Sequence, residues 1–491
     1  MRNPAITLAV LCSAVLAACG APEYQSPPVP VPAHFREPAD PAATPASPNA
    51  VPSAFPPPAD SGVAAAGQAA EAAWRVLGDT TLDRLVTELA GANLDVRAAA
   101  ARVQGARSLR AESTFDLAPT ITFGGGYTRQ RISAATFPVA AERFPDQGIW
   151  DAGFDASWEI DLFGRLRKNI QAQSAFVAVS QEDLRNIQVS LTAELARAYF
   201  ELRGAQERLA VAQRNAENQQ HTYQLTKDRL DAGRGTAFDT ERAQAQLSFT
   251  LASIPALQSA VSEAQYQVGV LVGRPPAVVA AELKPAPLPA LPAPTAIASA
   301  DSIIRHRPDV AAAERQIAAE NALVGSAKAE YLPRLSVGGQ VGFTNTNLDS
   351  FTDENGFRYA VGPVVTWPAL NLGRVKARVD QSRARAAEAE AAYGQTVLLA
   401  QQEVETALSR YRTARERVAQ VQNAASASER AAELARLRFT GGVADFLQVL
   451  DAERTQLDAE DQLAQGRTDA ATAYAALYKA LGGTAPASSA D

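Results

Sequence analysis

The sequence predicts a mainly helical, tandemly repeated chain carrying four β-strands of membrane-spanning length, too few for one copy to close into a barrel. Three observations predict it. The two halves of the chain repeat at a fixed spacing. Each half contains a Pro-free stretch of more than sixty residues with a helical seam, and each contains two short runs in which apolar and polar residues alternate.

The start of the chain stands apart from the fold. "MRNPAITLAVLCSAVLAACG" has a basic residue at Arg2, an apolar core from Ala5 to Leu16 and a small-residue end, the pattern of a secretory signal. Its end, Leu16-Ala17-Ala18-Cys19, resembles the bacterial lipobox, which implies cleavage before Cys19 and lipidation there; an ordinary cleavage site beside an accidental Cys is the alternative. Gly20 at the next position resembles lipoproteins sent on to the outer membrane. The other Cys, Cys12, leaves with the signal, so the mature chain has no internal disulfide.

A length of 491 residues suggests about three ordinary domains, but the composition does not. The 47% of hydrophobic residues is largely alanine, aromatics are 7%, and no stretch after the signal is long and apolar enough for a transmembrane helix. A formal net charge of −7 gives no support for nucleic-acid binding. Thirteen of the 30 prolines fall within 22–58, marking an extended arm, and a second Pro-rich connector spans 274–299. The chain therefore reads as a signal peptide (1–18), an N-terminal arm (19–70), a first structural repeat (71–273), the connector (274–299), a second repeat (300–482) and a tail (483–491).

The repeat is explicit. "WEIDLFGR" at 158–165 returns as "WPALNLGR" at 367–374, and 367 − 158 = 209. At that spacing Trp158, Gly164, Arg165, Arg229, Gly233 and Gly273 fall on Trp367, Gly373, Arg374, Arg438, Gly442 and Gly482. Upstream, Asp95-Val96 and Ile121 fall on Asp309-Val310 and Leu335 at a spacing of 214. The five-residue difference belongs to 127–157 against 341–366, at a hairpin tip, where insertions are best tolerated.

Strands are expected at about 119–129 and 152–163 in the first half and 335–344 and 359–367 in the second. In 152–163, Phe154, Ala156, Trp158, Ile160 and Leu162 alternate with Asp155, Ser157, Glu159 and Asp161. Strands of this length, apolar on one face and polar on the other, suit either a transmembrane barrel or a half-buried soluble sheet. In a barrel, Asp155, Glu159 and Asp161 face the lumen and favour cations.

Long helices are expected at 166–231 and 376–440, each about 100 Å at 1.5 Å per residue. From Tyr393 through Val397, Ala400, Val404, Ala407 and Tyr411 to Ala425, apolar residues step by four and three, a heptad seam. At a spacing of 209 the matching seam runs from Leu184 to Ala216, and nine of its ten positions are apolar, Gln188 being the exception. Such seams fit a coiled-coil hairpin or, being rich in Ala, many helices side by side. A helix of about 35 residues is expected after "DAGRGTAF" (231–238), kinked at Pro255, and one of about 30 from Arg307-Pro308-Asp309. End to end, these two match the long helix beside them, as do 444–481 and 81–113, giving four helical columns. Four strands leave open edges, which lipid cannot satisfy, so copies must associate. Two copies give eight strands with a filled interior, and three give twelve with a lumen.

"WRVLGDTTLDRLVTELAGANLDVRAAAARV" (74–103), "RHRPDVAAAERQIAAENALVGSAKAEYLPRLSVGG" (305–339) and "GGVADFLQVLDAER" (441–454) resemble the outer membrane factor family, the TolC and OprM type of efflux duct, and its lipoprotein branch. The resemblance runs from about Trp74 to Gly482, and the arm exceeds that of better-known members. It implies a homotrimer, lipid-anchored in the cell outer membrane and extending into the periplasm. A twelve-strand barrel would be continued by a twelve-helix α-barrel, with an equatorial girdle built from 274–299 and the chain ends. It implies passive conduction, from a periplasmic adaptor and an inner-membrane pump to the exterior. A periplasmic coiled-coil adaptor or scaffold lipoprotein would instead need one helical hairpin between compact β domains. A lipoprotein hydrolase would need a catalytic set, and His34, His221 and His306 are scattered, with no metal-ligand or nucleophile spacing, so neither enzyme, cofactor nor metal is expected.

Within that frame Trp158 and Trp367 close the strands on the lipid-facing register, where the interface favours Trp. Gly164 and Gly373 sit where strand turns into helix, and Arg165 and Arg374 are placed to neutralise carbonyls or headgroups; the bland alternative is packing at a bend. Past the turn at 440–446, Leu447, Gln448 and Asp451 share one helix face. The resemblance implies constriction rings at Leu447 and Asp451 at the periplasmic aperture, with Gln448 where an acid can also stand; pairing of Asp451 with Arg454 or Arg438 is the alternative. The repeat puts Arg242 opposite Asp451, leaving three carboxylates around the axis of a trimer.

Overall fold

The computed structural model describes residues 74–131, 133, 145–292 and 300–483. The signal, Cys19, the arm, residues 132 and 134–144, connector residues 293–299 and tail residues 484–491 lie outside the described residues. The element order is α1 (Thr80–Ala92), α2 (Leu94–Phe115), β1 (Thr120–Gln130), β2 (Gln147–Ile160), α3 (Arg165–Asp231), α4 (Ala237–Leu271), α5 (Pro276–Glu282), α6 (Ala300–His306), α7 (Pro308–Ala329), β3 (Arg334–Asn345), β4 (Phe357–Thr366), α8 (Leu372–Thr440) and α9 (Phe446–Ala480), with a 3-10 turn at Glu354–Gly356. The described residues form two compact units: a strand unit drawn from Arg102–Ser180 and Ala312–Tyr393, and a helical unit drawn from Val29–Ala101, Gln181–Ala311 and Gly394–Asp491. No helix among the described residues is long and apolar enough to cross a membrane.

In the strand unit the four strands form one antiparallel sheet in the order β1-β2-β3-β4, so among the described residues β1 and β4 each leave an edge unpaired. The register aligns the apolar positions of all four strands. Phe123 lies opposite Phe154 and Phe154 opposite Val341, which in turn faces Tyr359, and these side chains are exposed. The other face is polar, with Thr122, Asp155 and Gln340 side by side. Sixteen residues separate Gln130 from Gln147 and eleven separate Asn345 from Phe357, so the five-residue difference between the halves falls between strands. Two strands, β2 and β4, have ends that differ from expectation. The strand β2 begins at Gln147 and stops at Ile160, so Asp161 and Leu162 lie beyond it, and β4 stops one residue before Trp367.

In the helical unit the seams of α3 and α8 are covered along their length. Val397, Ala400, Val404, Ala407 and Tyr411 are buried, as are Leu184, Leu195, Ala198, Leu202, Ala212 and Ala216. Buried Gln188 is the odd member, and its side-chain oxygen has no hydrogen-bond partner among the described residues. One expected helix is broken and another is shorter than expected. The helix expected over 81–113 is interrupted at Asn93, whose backbone is extended and whose Oδ1 accepts from the amides of Asp95 and Val96 as an N-cap of α2. The helix expected to run about 30 residues from Arg307-Pro308-Asp309 is α7, which starts there at Pro308 but ends after 22 residues at Ala329; the separate α6 precedes it, because the residue before a proline is driven out of the helical region.

The breaks are themselves repeated. Asn93 Nδ2 donates to Leu271 O at 2.7 Å, and Arg307 Nη1 donates to Ala480 O at 2.8 Å, so each break ties off the carbonyl end of another helix. At both places a glycine with positive φ, Gly273 (69°) or Gly482 (70°), ends that helix. A Cβ on Gly273 would lie 2.4 Å from Ala92 O. Arg307 is further fixed by Asp309 and by Glu403 at 2.6 Å. Within the connector, α5 is a helix that the prolines concealed. Buried Arg203 and Gln206 on α3 hold its exit by donating to the carbonyls of Lys284 and Leu283.

Candidate functional site

Two sets of candidate residues lie at opposite ends of the long helices. At the strand-to-helix joints, Trp158 Nε1 donates to Leu117 O at 2.8 Å and Trp367 Nε1 to Tyr331 O at 3.0 Å. Both rings are partly exposed on the apolar register. Each indole pins the start of a strand hairpin, with its apolar body outward and its polar tip satisfied.

The remaining joint residues diverge. Gly164 has φ of 80°, a conformation that side chains resist, and α3 starts one residue later. Arg165 donates from Nε and Nη2 to the two oxygens of Glu159 at 2.9 and 2.8 Å, a bidentate pair. It therefore neutralises a neighbouring carboxylate rather than the carbonyls or headgroups expected of it. Asp161 accepts from the amides of Leu166 and Arg167 and from Arg167 Nε, as an anion at the helix N-terminus. Burial raises its carboxyl, but the Arg167 amide and guanidinium and the Leu166 amide outweigh burial and leave it below the ordinary 3.8. Two of the three acids expected on the lumen face are thus engaged at the joint, and Asp161 is not on the strand at all.

In the second half Pro368 replaces Glu159 and Leu370 replaces Asp161. Asn371 N donates to Pro368 O in a tight turn, and α8 begins at Leu372, so Gly373 falls inside its first turn with ordinary helical backbone. Arg374 is exposed and makes no ion pair among the described residues.

At the other end, Asp445 caps α9 by accepting from Gln448 N at 3.1 Å. Leu447, Gln448 and Asp451 form the exposed side of its first turns, while Phe446 and Val449 pack with Phe439 and Ala243 on the other. The Asp451 carboxylate pairs with neither Arg454 nor Arg438 among the described residues. Beside this cluster Arg229 lies 4.4 Å from the centroid of the Phe439 ring and donates to Phe439 O at 3.1 Å.

Sequence reasoning missed Glu453, which is 2% exposed. It accepts from Thr222 Oγ1 and from Arg436 Nε, both at 2.8 Å, and Arg436 also reaches Gln456. The signal was present, because the three-and-four stepping from Phe446 through Val449 lands on Glu453 and Gln456. A carboxylate on a seam must have a built partner.

A sequence model of the family described as outer membrane efflux protein matches residues 85–274 and 300–483, one segment in each half. The chain belongs to the outer membrane efflux protein family. Outer membrane protein OprJ of Pseudomonas aeruginosa is 29% identical over 492 residues, covering 98% of this chain and 97% of its own. The toluene efflux pump outer membrane protein TtgC of Pseudomonas putida is 28% identical over 98% of this chain and 96% of its own. The solved structure of the outer-membrane channel OprN superposes with a TM-score of 0.82 at 35% identity, over 96% of this chain and all of that one. This efflux protein is therefore a channel protein of the outer membrane, mainly helical, with the fold of the known efflux channels.

Proposed function

We propose that three copies of the mature chain close a twelve-strand barrel in the outer membrane, continued by a twelve-helix barrel in the periplasm. The duct conducts passively, without chemistry of its own, what an inner-membrane pump and a periplasmic adaptor deliver. The four-stranded sheet carries this reading: its apolar face is exposed, its other face is polar, and both edges carry unpaired backbone groups. In lipid such edges require another chain, and three copies are the smallest closed set with a water-filled interior. Cys19 carries the lipid anchor, and Leu447, Gln448 and Asp451 line the periplasmic aperture at the ends of α8 and α9.

Detergent-extracted protein should sediment as a trimer and form channels in planar bilayers; a monodisperse folded monomer overturns the architecture. Labelling by radioactive fatty acid should vanish in Cys19→Ser while the channel still inserts, and labelling that persists overturns the anchor. Leu447→Ala with Asp451→Ala should raise single-channel conductance and weaken block by divalent cations. Unchanged conductance and block in an intact trimer move the constriction elsewhere.

A further inference from the structure

The polar face of the sheet holds charges that the joints and the aperture do not use. Thr122, Asp155, Gln340 and Ala360 lie in one row across the four strands, and the next row is Gly124, Gly153, Gly342 and Arg358. Beyond it Gly126, Asp151 and Thr344 align. In the middle row Arg358 is the only residue with a side chain. A Cβ at Gly342 would lie 2.4 Å from Ala152 O and one at Gly153 2.6 Å from Val341 O, so the backbones themselves exclude side chains there.

Arg358 reaches along the face in both directions. Its Nη2 donates to Asp151 Oδ2 at 2.7 Å, its Nε to Thr344 Oγ1 at 2.8 Å and its Nη1 to Gln340 Oε1 at 2.8 Å, while Thr344 Oγ1 donates to Asp151 Oδ2 at 2.6 Å. Asp151 is thereby neutralised. The other charges on this face are Glu159, held by Arg165, and Arg334, paired with Glu330 at 3.4 Å. Asp155 lies between these pairs, exposed, and its carboxylate makes no ion pair or hydrogen bond among the described residues.

We propose that Asp155 is the single uncompensated charge each chain presents to the lumen of the strand barrel, and that beside the side-chain-free glycine row it makes the barrel favour cationic over anionic solutes. Arg358 keeps that number at one by holding Asp151 neutral. The inference rests on the closed-barrel reading above. A ring of like charge on a water-filled wall concentrates counter-ions, and it acts most strongly at low salt because screening shortens its reach to about 10 Å at 0.1 M.

Reversal potentials in a KCl gradient across planar bilayers test it. At 0.1 M salt the preference for K⁺ over Cl⁻ should fall about twofold in Asp155→Asn. It should rise in Arg358→Gln, which frees Asp151, and return to the parent value when Asp151→Asn is added. Asp155→Cys removes any dependence on folding of the variants, because a cationic methanethiosulfonate reagent changes the charge in channels that have already assembled. That modification should lower the preference further, an anionic reagent should restore it, and the parent chain should respond to neither. Channels of normal conductance whose selectivity is indifferent to position 155 overturn the proposal. Absence of any channel from the parent chain overturns the barrel reading instead.

Discussion

The two strand-to-helix joints share a sequence pattern and differ in construction. Trp158 and Trp367 do the same thing, each donating to a carbonyl at the start of its hairpin, and those carbonyls belong to Leu117 and Tyr331, themselves 214 apart. Gly164 and Gly373 share only a name. One takes a left-handed backbone to enter α3, whereas the other lies within α8 because the turn at Pro368 already bends the chain. The arginines differ most, since Arg165 holds Glu159 and its counterpart Arg374 has a proline where the carboxylate would be. A duplicated chain keeps contacts to backbone, which any side chain at the acceptor position supplies, and loses contacts that depend on one particular partner.

The helix tips teach the same lesson. Gly233 and Gly442 both keep positive φ, 68° and 75°, so the turns are alike. Past them the first half offers exposed Phe238 with Arg242 5.3 Å from its ring centroid, where the second half offers Leu447 and Asp451. Buried Glu453 has exposed Gln244 as its counterpart, and Arg436 has exposed Lys227.

The largest expected asymmetry is at that buried pair. Arg436→Ala leaves Glu453 with a hydroxyl partner only and should cost on the order of 3 kcal/mol, while Lys227→Ala costs nothing measurable. Thermal loss of helical circular dichroism in detergent measures both, and equal midpoints break the comparison. Gly164→Ala comes next, at about 1–2 kcal/mol for a forced left-handed residue, against a small gain for Gly373→Ala in a helix. Arg165→Ala should cost about 1 kcal/mol, allowing for partial exposure, and Arg374→Ala should be neutral within about 0.5 kcal/mol.

What the sequence made legible follows the same division. The ends of α3 and α8 lie close to the expected 166–231 and 376–440, because absence of proline and an unbroken heptad seam are properties of one segment. Alternation of Phe154, Ala156 and Trp158 marked a strand, but not where it stopped, since nothing local distinguishes Asp161 on a strand from Asp161 capping a helix. The break at Asn93 had a local signal, an N-cap residue, which the length of the surrounding helical pattern concealed, whereas the X-Pro step at Arg307 was legible as a helix start. The pairing of Glu159 with Arg165, and of Arg436 with Glu453, requires knowing which side chains a bend or a turn brings together.

The smallest expected difference concerns pH at the joints. Asp161 holds the first amides of α3 with a carboxyl depressed below 3.8, whereas Leu370 has nothing to titrate. A depressed carboxyl contributes stability that is complete above its unfolded value and is lost as pH falls through its folded value. The start of α3 should therefore be indifferent to pH above about 5 and loosen below 3.8, while the start of α8 stays unchanged. Hydrogen exchange at the amides of Leu166 and Arg167, compared with those of Val375 and Lys376, reads the two joints in one sample after correction for intrinsic rates. Acid should selectively weaken protection at the first pair, by less than about 1 kcal/mol, and Asp161→Asn should remove that pH dependence. Equal loss at both joints would mean that acid acts on the strands they share rather than on the cap.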